Sequence, residues 1–93
     1  MGQLLDVISV VVLQDYKLVV TFENSEVRLF DMSRYIDLKP YNKLKNSPHF
    51  KSAKIEYGTI VWPGEIDIAP ETLYFESEPY PSSTTSGLQK AIA

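Results

Sequence analysis

The carboxylates Glu65 and Asp67 are the side chains with the clearest potential for acid–base chemistry. They are two residues apart, so an extended backbone would place both on one face. Such a pair can supply a general acid and a general base, but acidic pairs are more often plain surface charge. The sequence holds no glycine-rich phosphate loop, no serine nucleophile elbow and no second histidine beside His49. We therefore expect no enzymatic activity.

Metal-ligating residues are equally sparse. The 93 residues include no cysteine and one histidine, which excludes disulfides, thiolate sites and multi-histidine sites. We expect neither a metal nor another cofactor. The lack of cysteine also agrees with a reducing compartment, so we expect a cytoplasmic protein.

Asp67 could serve either a binding site or the start of a helix. In a groove between the last extended segment and the final helix, its carboxylate would be open to a ligand. However, it precedes Pro70 by three residues, and Ala69 at the predicted N-cap has no side-chain acceptor. The Asp67 oxygens would then accept the unpaired N–H groups of the first helical turn. The spacing favours this structural role.

Aromatic residues are frequent, and Trp62 and Tyr74 stand out among them. Tryptophan and tyrosine are enriched at interface hot spots, so both residues are candidates for a binding surface. Trp62 also ends a predicted strand directly before Pro63, where it would fill the core of a small domain. Half-buried positions equally explain most of the six tyrosines.

Lysines dominate the middle of the sequence. No acidic residue lies between Asp37 and Glu56, but five lysines do: Lys39, Lys43, Lys45, Lys51 and Lys54. The run lacks arginine and the net charge of the chain is −3, so a nucleic-acid-binding regulator is the alternative rather than the first expectation. A solvated face of lysines is the simpler interpretation. The candidate interaction surface comprises Lys43, Lys45, Lys51, Trp62, Asp67 and Tyr74.

An apolar strand is predicted near the start of the chain, from Val7 to Leu13. It is apolar on both alternating faces and would need cover on both. We expect Val7, Val11 and Leu13 to lie on one face of this strand, and Ile8, Val10 and Val12 on the other.

Two alternating strands follow and complete an antiparallel three-stranded meander. In the second strand the apolar face comprises Tyr16, Leu18, Val20 and Phe22. The turn Asn24-Ser25 leads to the third strand, where we expect Val27 and Leu29 to face inward and Arg28 outward.

The remaining elements are shorter. An irregular crossover contains a short helix that begins at Pro40, and a second β-hairpin spans 53–62. A short C-terminal helix begins at Pro70. Residues 1–77 would form a single α+β domain, and residues 78–93 a flexible tail rich in serine, threonine and proline. The apolar run of the first strand is far shorter than the roughly 20 residues of a membrane-spanning helix, so we expect no membrane association.

The segment from Gly58 to Tyr74 carries the most specific pattern, Trp62-Pro63 followed by Asp67-Ile68-Ala69-Pro70-Glu71. Together with the strand Lys17–Phe22, the strand end Phe30-Asp31 and the segment Leu44–Phe50, it resembles the small bacterial family called domain of unknown function 2442. The resemblance covers about residues 7–77. Two positions depart from it: Asn24-Ser25 stands where many members carry Asp-Gly, and Gly64 follows Pro63 directly.

The resemblance implies a small cytosolic α+β domain with no assigned enzymatic activity. Some members carry a helix-turn-helix segment after the domain, and others are encoded beside another short protein in a regulatory or toxin–antitoxin-like setting. The Ser/Thr-rich end of this chain is too short for a helix-turn-helix, so we do not carry over a DNA-reading role.

Self-association is the last expectation. The short helices provide little material to cover both faces of the first strand, and exposed strands invite pairing with other strands. We therefore predict a homodimer with the first strand or its neighbours near the interface. The function expected is that of a non-enzymatic protein-interaction or regulatory module, toxin–antitoxin-like in its pairing with a small neighbouring protein.

Overall fold

The computed structural model describes residues 5–80, which form seven short strands, one α-helix and three 3-10 turns. The strands are β1 (Val7–Val12), β2 (Lys17–Phe22), β3 (Val27–Asp31), β4 (Lys54–Glu56), β5 (Thr59–Trp62), β6 (Ile66–Ile68) and β7 (Glu78–Pro79). The helix α1 spans Pro70–Phe75, and the 3-10 turns span Met32–Arg34, Tyr41–Leu44 and Pro48–Ser52. The predicted α+β class and the three-stranded meander are confirmed.

The strands form two antiparallel sheets. The first has the order β1-β2-β3-β7, and the second has the order β4-β5-β6. The segment after the predicted hairpin is thus a third strand of the second sheet, with Ile66 opposite Trp62. One apolar core joins both sheets, the 3-10 turns and α1, and its central side chains include Leu18, Phe22, Phe30, Leu44, Ile60, Trp62 and Leu73.

Strand β2 has the predicted inward face, because Leu18, Val20 and Phe22 are fully buried. Strand β1 differs from the prediction at its start. Its register on β2 shifts between Val7 and Ser9, which is a β-bulge that contains Ile8. The extra residue turns Val7 onto the core face, with Val10 and Val12 rather than with Val11 and Leu13.

The predicted facing of β3 was wrong. Cross-strand neighbours share a face, and the buried Leu18 and Val20 lie opposite Phe30 and Arg28. Arg28 and Phe30 therefore face the core, while Val27 and Leu29 face outward. Alternation of apolar residues misassigned this strand because a charged side chain takes one of the inward positions.

The crossover contains 3-10 turns where the sequence predicted a short helix from Pro40. The segment between Pro40 and the Ser47-Pro48 break holds only a few residues, and short pieces of this kind commonly take 3-10 geometry. Tyr41 and Leu44 still point the same way, as predicted, because residues three apart are eclipsed in a 3-10 turn.

The predicted tail begins with residues that pair with the sheet. Glu78 lies opposite Leu29 and Pro79 opposite Arg28 in β7, and the N–H of Tyr80 donates to the carbonyl of Val27 at 2.9 Å. The boundary at residue 77 therefore needs correction, because the open edge of β3 supplies partners that composition does not reveal. Residues 81–93 of the predicted tail lie outside the described residues.

Candidate functional site

The most connected polar cluster lies where β3 meets the end of α1. The Arg28 guanidinium donates to the hydroxyl of Ser77 at 2.7 Å, to the Ser77 carbonyl at 2.9 Å and to Glu26 at 3.1 Å. It also lies 4.6 Å above the ring of Tyr74, a cation–π contact. The hydroxyl of Tyr74 donates to Glu26 at 2.7 Å. These bonds allow Arg28 to occupy an inward position.

The hydrogen bond between the Tyr74 hydroxyl and the Glu26 carboxylate sets the acid–base properties of this cluster. The hydrogen bond donated by the Tyr74 hydroxyl is the main cause that lowers the pKa of Glu26, and hydrogen bonds from Asn24 and Arg28 lower it further. The same bond raises the pKa of Tyr74. The carboxylate is thereby held in its charged form, and the hydroxyl in its protonated form. The arrangement joins α1 to the start of β3.

Trp62 belongs to the core and not to an exposed surface. Its side chain is 1% exposed, its ring stacks on Phe50 at a centroid distance of 5.9 Å, and its Nε1 donates to the Phe50 carbonyl at 3.1 Å. The indole N–H is thus satisfied inside the protein, as a buried tryptophan requires. A partner cannot reach this side chain in the folded state.

Asp67 is exposed on β6, between the inward-facing Ile66 and Ile68. The helix α1 begins without a side-chain cap on Ala69, and the predicted capping by the Asp67 carboxylate is not seen. Instead, its backbone carbonyl accepts a hydrogen bond from the hydroxyl of Tyr41 at 3.1 Å. Burial is the main cause that raises the pKa of Tyr41.

Two of the five lysines of the middle segment form ion pairs. Lys45 pairs with Asp37 at 2.6 Å, a hydrogen bond that raises the pKa of the lysine, and Lys54 pairs with Glu56 at 2.8 Å. Lys43 is exposed on a 3-10 turn, and Lys51 lies at the rim of a groove. The six predicted site residues are therefore dispersed over the core, the polar cluster, β6 and separate surface positions.

The sequence indicated a second apolar face on the first strand, but not its continuation across β2 and β3 into the outer face of the first sheet, which we define as the face opposite the core. Val11, Val19 and Leu29 lie side by side across β1, β2 and β3 on this face. Val11 is 52% exposed, and Val27 and Tyr80 extend the face toward β7. Its centre is apolar, which is typical of an interaction surface. Only knowledge of the facing of β3 could have revealed it.

A groove of 430 Å³ lies beside the end of β1, between Val12 and the 3-10 turn Pro48–Ser52. Its aromatic wall consists of Tyr16 and Phe50, whose rings meet edge to face at a centroid distance of 5.1 Å. The hydroxyl of Tyr16 accepts a hydrogen bond from the N–H of Asn46 at 2.9 Å.

Three of the six described non-glycine residues with positive φ angles lie at this groove. Asp15, Tyr16 and Asn46 all adopt positive φ angles of 56–61°, a region that non-glycine residues seldom occupy. Strained residues of this kind collect at functional sites. The groove is therefore a second candidate for binding, next to the outer face.

Fold and surface together define a small, sheet-rich α+β protein with a structural polar cluster and an apolar outer face. The family model described as Protein of unknown function (DUF2442) matches residues 7–79. The chain belongs to this family, and the resemblance noted in the sequence is confirmed. Neither a curated protein nor a solved structure matches the chain significantly.

Within residues 5–80, no helix has the length and apolar character needed to cross a membrane. In the same range, no three histidine, aspartate or glutamate side chains come together as a metal site would require.

Proposed function

We propose that this protein is a non-enzymatic protein-interaction module that works as a homodimer, with self-association at the β1 side of the outer face. The observation that supports it is the apolar outer face, in which Val11 on β1 is 52% exposed beside the half-buried Val19. Removal of such side chains from water stabilises a complex by about 25 cal/mol per Å² of apolar area. The polar groups of the Arg28 cluster, in contrast, are used within the fold.

The proposal extends to the setting of the protein. The rest of the outer face, around Val27 and Leu29, would be left for a small partner protein. We base the toxin–antitoxin-like pairing with a neighbouring gene product on the family resemblance. The bacterial cytoplasmic location rests on the same resemblance and on the absence of cysteine.

Sedimentation equilibrium at micromolar concentration tests the homodimer. The wild-type chain should sediment at about twice its mass of 10.6 kDa. Val11→Lys should shift the equilibrium to the monomer, because a charge would enter the apolar contact. The matched control is Leu38→Lys, since Leu38 is 54% exposed, almost the same as Val11, but lies in the crossover. A wild-type chain that is monomeric throughout would refute the homodimer.

A further inference from the structure

Strand β1 forms an edge of the first sheet, and part of its backbone is open. The N–H of Leu13 donates to the carbonyl of Lys17 at 2.8 Å, so Leu13 faces β2. Backbone groups alternate in direction along an antiparallel strand, so those of Val10 and Val12 point away from β2. No contact among residues 5–80 pairs this edge with another strand. It therefore offers two N–H donors and two carbonyl acceptors.

The open part of the β1 edge begins only after Val7, whose backbone is already hydrogen-bonded within the chain. The N–H of Val7, which also points away from β2, donates to the carbonyl of Gly58 at 2.8 Å. The tip of the β4–β5 hairpin thus closes the edge at Val7, and the bulge at Ile8 separates this end from the regular strand. A pairing strand has access only from Ile8 onward.

We propose that two copies of the chain pair antiparallel through their β1 edges, with the two-fold axis at Val11. Val10 of each copy then faces Val12 of the other, and each pair exchanges two hydrogen bonds. The two first sheets become one continuous sheet with one continuous outer face. This inference rests on the proposed homodimer and specifies its geometry.

The composition of β1 suits pairing with itself. The strand has no charged residue and no proline, although exposed edges are usually protected by lysine or proline. No like charges would therefore meet at the two-fold axis. The Val11 side chains of the two copies would contact each other on the outer face and lose their exposure to water.

The same register places the hairpin tip of one copy at the groove of the other. With Val11 on the axis, Ile8 of the second copy lies opposite Gln14, and the bulge brings Val7 of the second copy beside the turn Gln14-Asp15 that leads from β1 into β2. Gly58 of the second copy is hydrogen-bonded to that Val7, so its neighbour Tyr57 reaches the groove beside Tyr16. Tyr57 is 96% exposed at the tip of the β4–β5 hairpin, where Tyr57 and Gly58 form a two-residue turn with positive φ angles of 54° and 74°, so its side chain is available to a second copy.

The hairpin tip and the groove also carry opposite charges. The carboxylate of Asp6 lies against Gly58, because a Cβ on this glycine would be 2.5 Å from Asp6 Oδ1. Lys51 is exposed at the groove rim and forms no salt bridge with another described residue. In the paired dimer, Asp6 of one copy approaches Lys51 of the other, which favours this register.

Single-cysteine variants test the strand pairing, since the natural chain has no cysteine. In the proposed dimer the two Val11 residues form a non-hydrogen-bonded pair with Cα atoms about 4.5 Å apart, within the range that a disulfide bridges. Mild oxidation of Val11→Cys should give mostly cross-linked dimer on a non-reducing gel. Val19→Cys is the control, because Val19 lies one strand away from the axis.

The cross-linking results distinguish a failure of the proposed edge pairing from a failure of the proposed homodimer. Cross-linking at Val11 without cross-linking at Val19 supports the edge pairing. Efficient cross-linking at Val19 instead would show a face-to-face dimer and overturn the edge pairing while the homodimer stands. A dimer by sedimentation that cross-links at neither position also contradicts it.

Tyr57→Ala tests the contact between the hairpin tip and the groove. Loss of a tyrosine anchor should raise the dissociation constant of the dimer about tenfold or more. Phe75→Ala is the control, because Phe75 is 75% exposed but lies on α1. Equal dissociation constants for Tyr57→Ala and the wild type would show that the tip does not enter the groove. Circular dichroism checks that both variants are folded.

Discussion

At the residue scale, Arg28 shows how a charged side chain can replace an apolar one on the core side of a strand. Its guanidinium binds Ser77 and Glu26 and lies above the ring of Tyr74. Charge-assisted bonds of this kind are stronger than neutral ones, and they compensate for the loss of water around a half-buried cation. Burial of Arg28 is therefore inseparable from the position of Ser77 and Tyr74.

Tyr74→Phe should raise the pKa of Glu26, because the Tyr74 hydroxyl is the main cause that lowers it. A lowered carboxyl pKa in the folded state stabilises the protein above the ordinary carboxyl pKa, and this stabilisation is lost as pH falls through the folded-state value. In the variant this contribution should be smaller, so stability should be lower above the ordinary carboxyl pKa and should fall less as the pH is lowered below it. Urea unfolding at a series of pH values and a carbon NMR titration of Glu26 measure both effects.

The control for this experiment is Tyr41→Phe. The hydroxyl of Tyr41 donates to a backbone carbonyl, that of Asp67, and not to Glu26. This variant should leave the Glu26 titration as in the wild type. An unchanged Glu26 titration in Tyr74→Phe as well would show that the hydrogen bond does not set the pKa.

At the element scale, β7 is the least expected part of the fold. It consists of two residues, one of them a proline, and it pairs with the edge of β3. Proline is tolerated on an edge strand because its missing N–H can face away from the sheet. The strand covers part of the β3 edge, so the two edge strands of this sheet are β7, with two residues, and β1, with six.

A chain that ends at Ser77 should be less stable than one that ends at Tyr80. The shorter chain loses the backbone pairing with Val27 and Leu29, and a hydrogen bond contributes about 0.5–1.5 kcal/mol. Since 1 kcal/mol shifts the melting temperature of a domain of this size by about 4–8 °C, the difference should exceed about 4 °C. Differential scanning calorimetry measures it. Equal melting temperatures would mean that β7 adds no stability.

At the scale of the whole molecule, charge is distributed in a way that disfavours binding to nucleic acid. Ion pairs with Asp37 and Glu56 engage Lys45 and Lys54. The chain has 12 acidic and 9 basic residues, so a duplex would be repelled overall. Two of the five lysines in the run are thus paired with carboxylates.

We expect no binding of a short DNA or RNA duplex at about 0.15 M salt, near the physiological ionic strength. Fluorescence anisotropy with a labelled duplex measures this. Binding that weakens steeply with salt, and that disappears in the double variant Lys43→Ala, Lys51→Ala, would favour the nucleic-acid-binding alternative. The control is Lys39→Ala, Lys54→Ala, which removes the same charge at other positions in the run.

The sequence alone determined those elements whose signals are local. Alternation of apolar residues assigned the inward face of β2, and proline placed the start of α1 at Pro70. The hairpin of β4 and β5 followed from Gly58 between two short apolar runs. The family pattern around Trp62 likewise depends on adjacent residues. In all of these, the interaction that fixes the structure lies within a few residues of the signal.

Tertiary structure alone decided the features that depend on distant partners. Arg28 faces inward because Ser77, 49 residues away, accepts its hydrogen bonds. Ser77 also precedes β7, whose partner strand is equally remote in sequence. Of the predicted site residues, only Lys51 lines the groove, whereas Trp62 enters the core, because burial is a property of the assembled sheets. The open edge of β1 follows from the order of the strands, which no local pattern specifies.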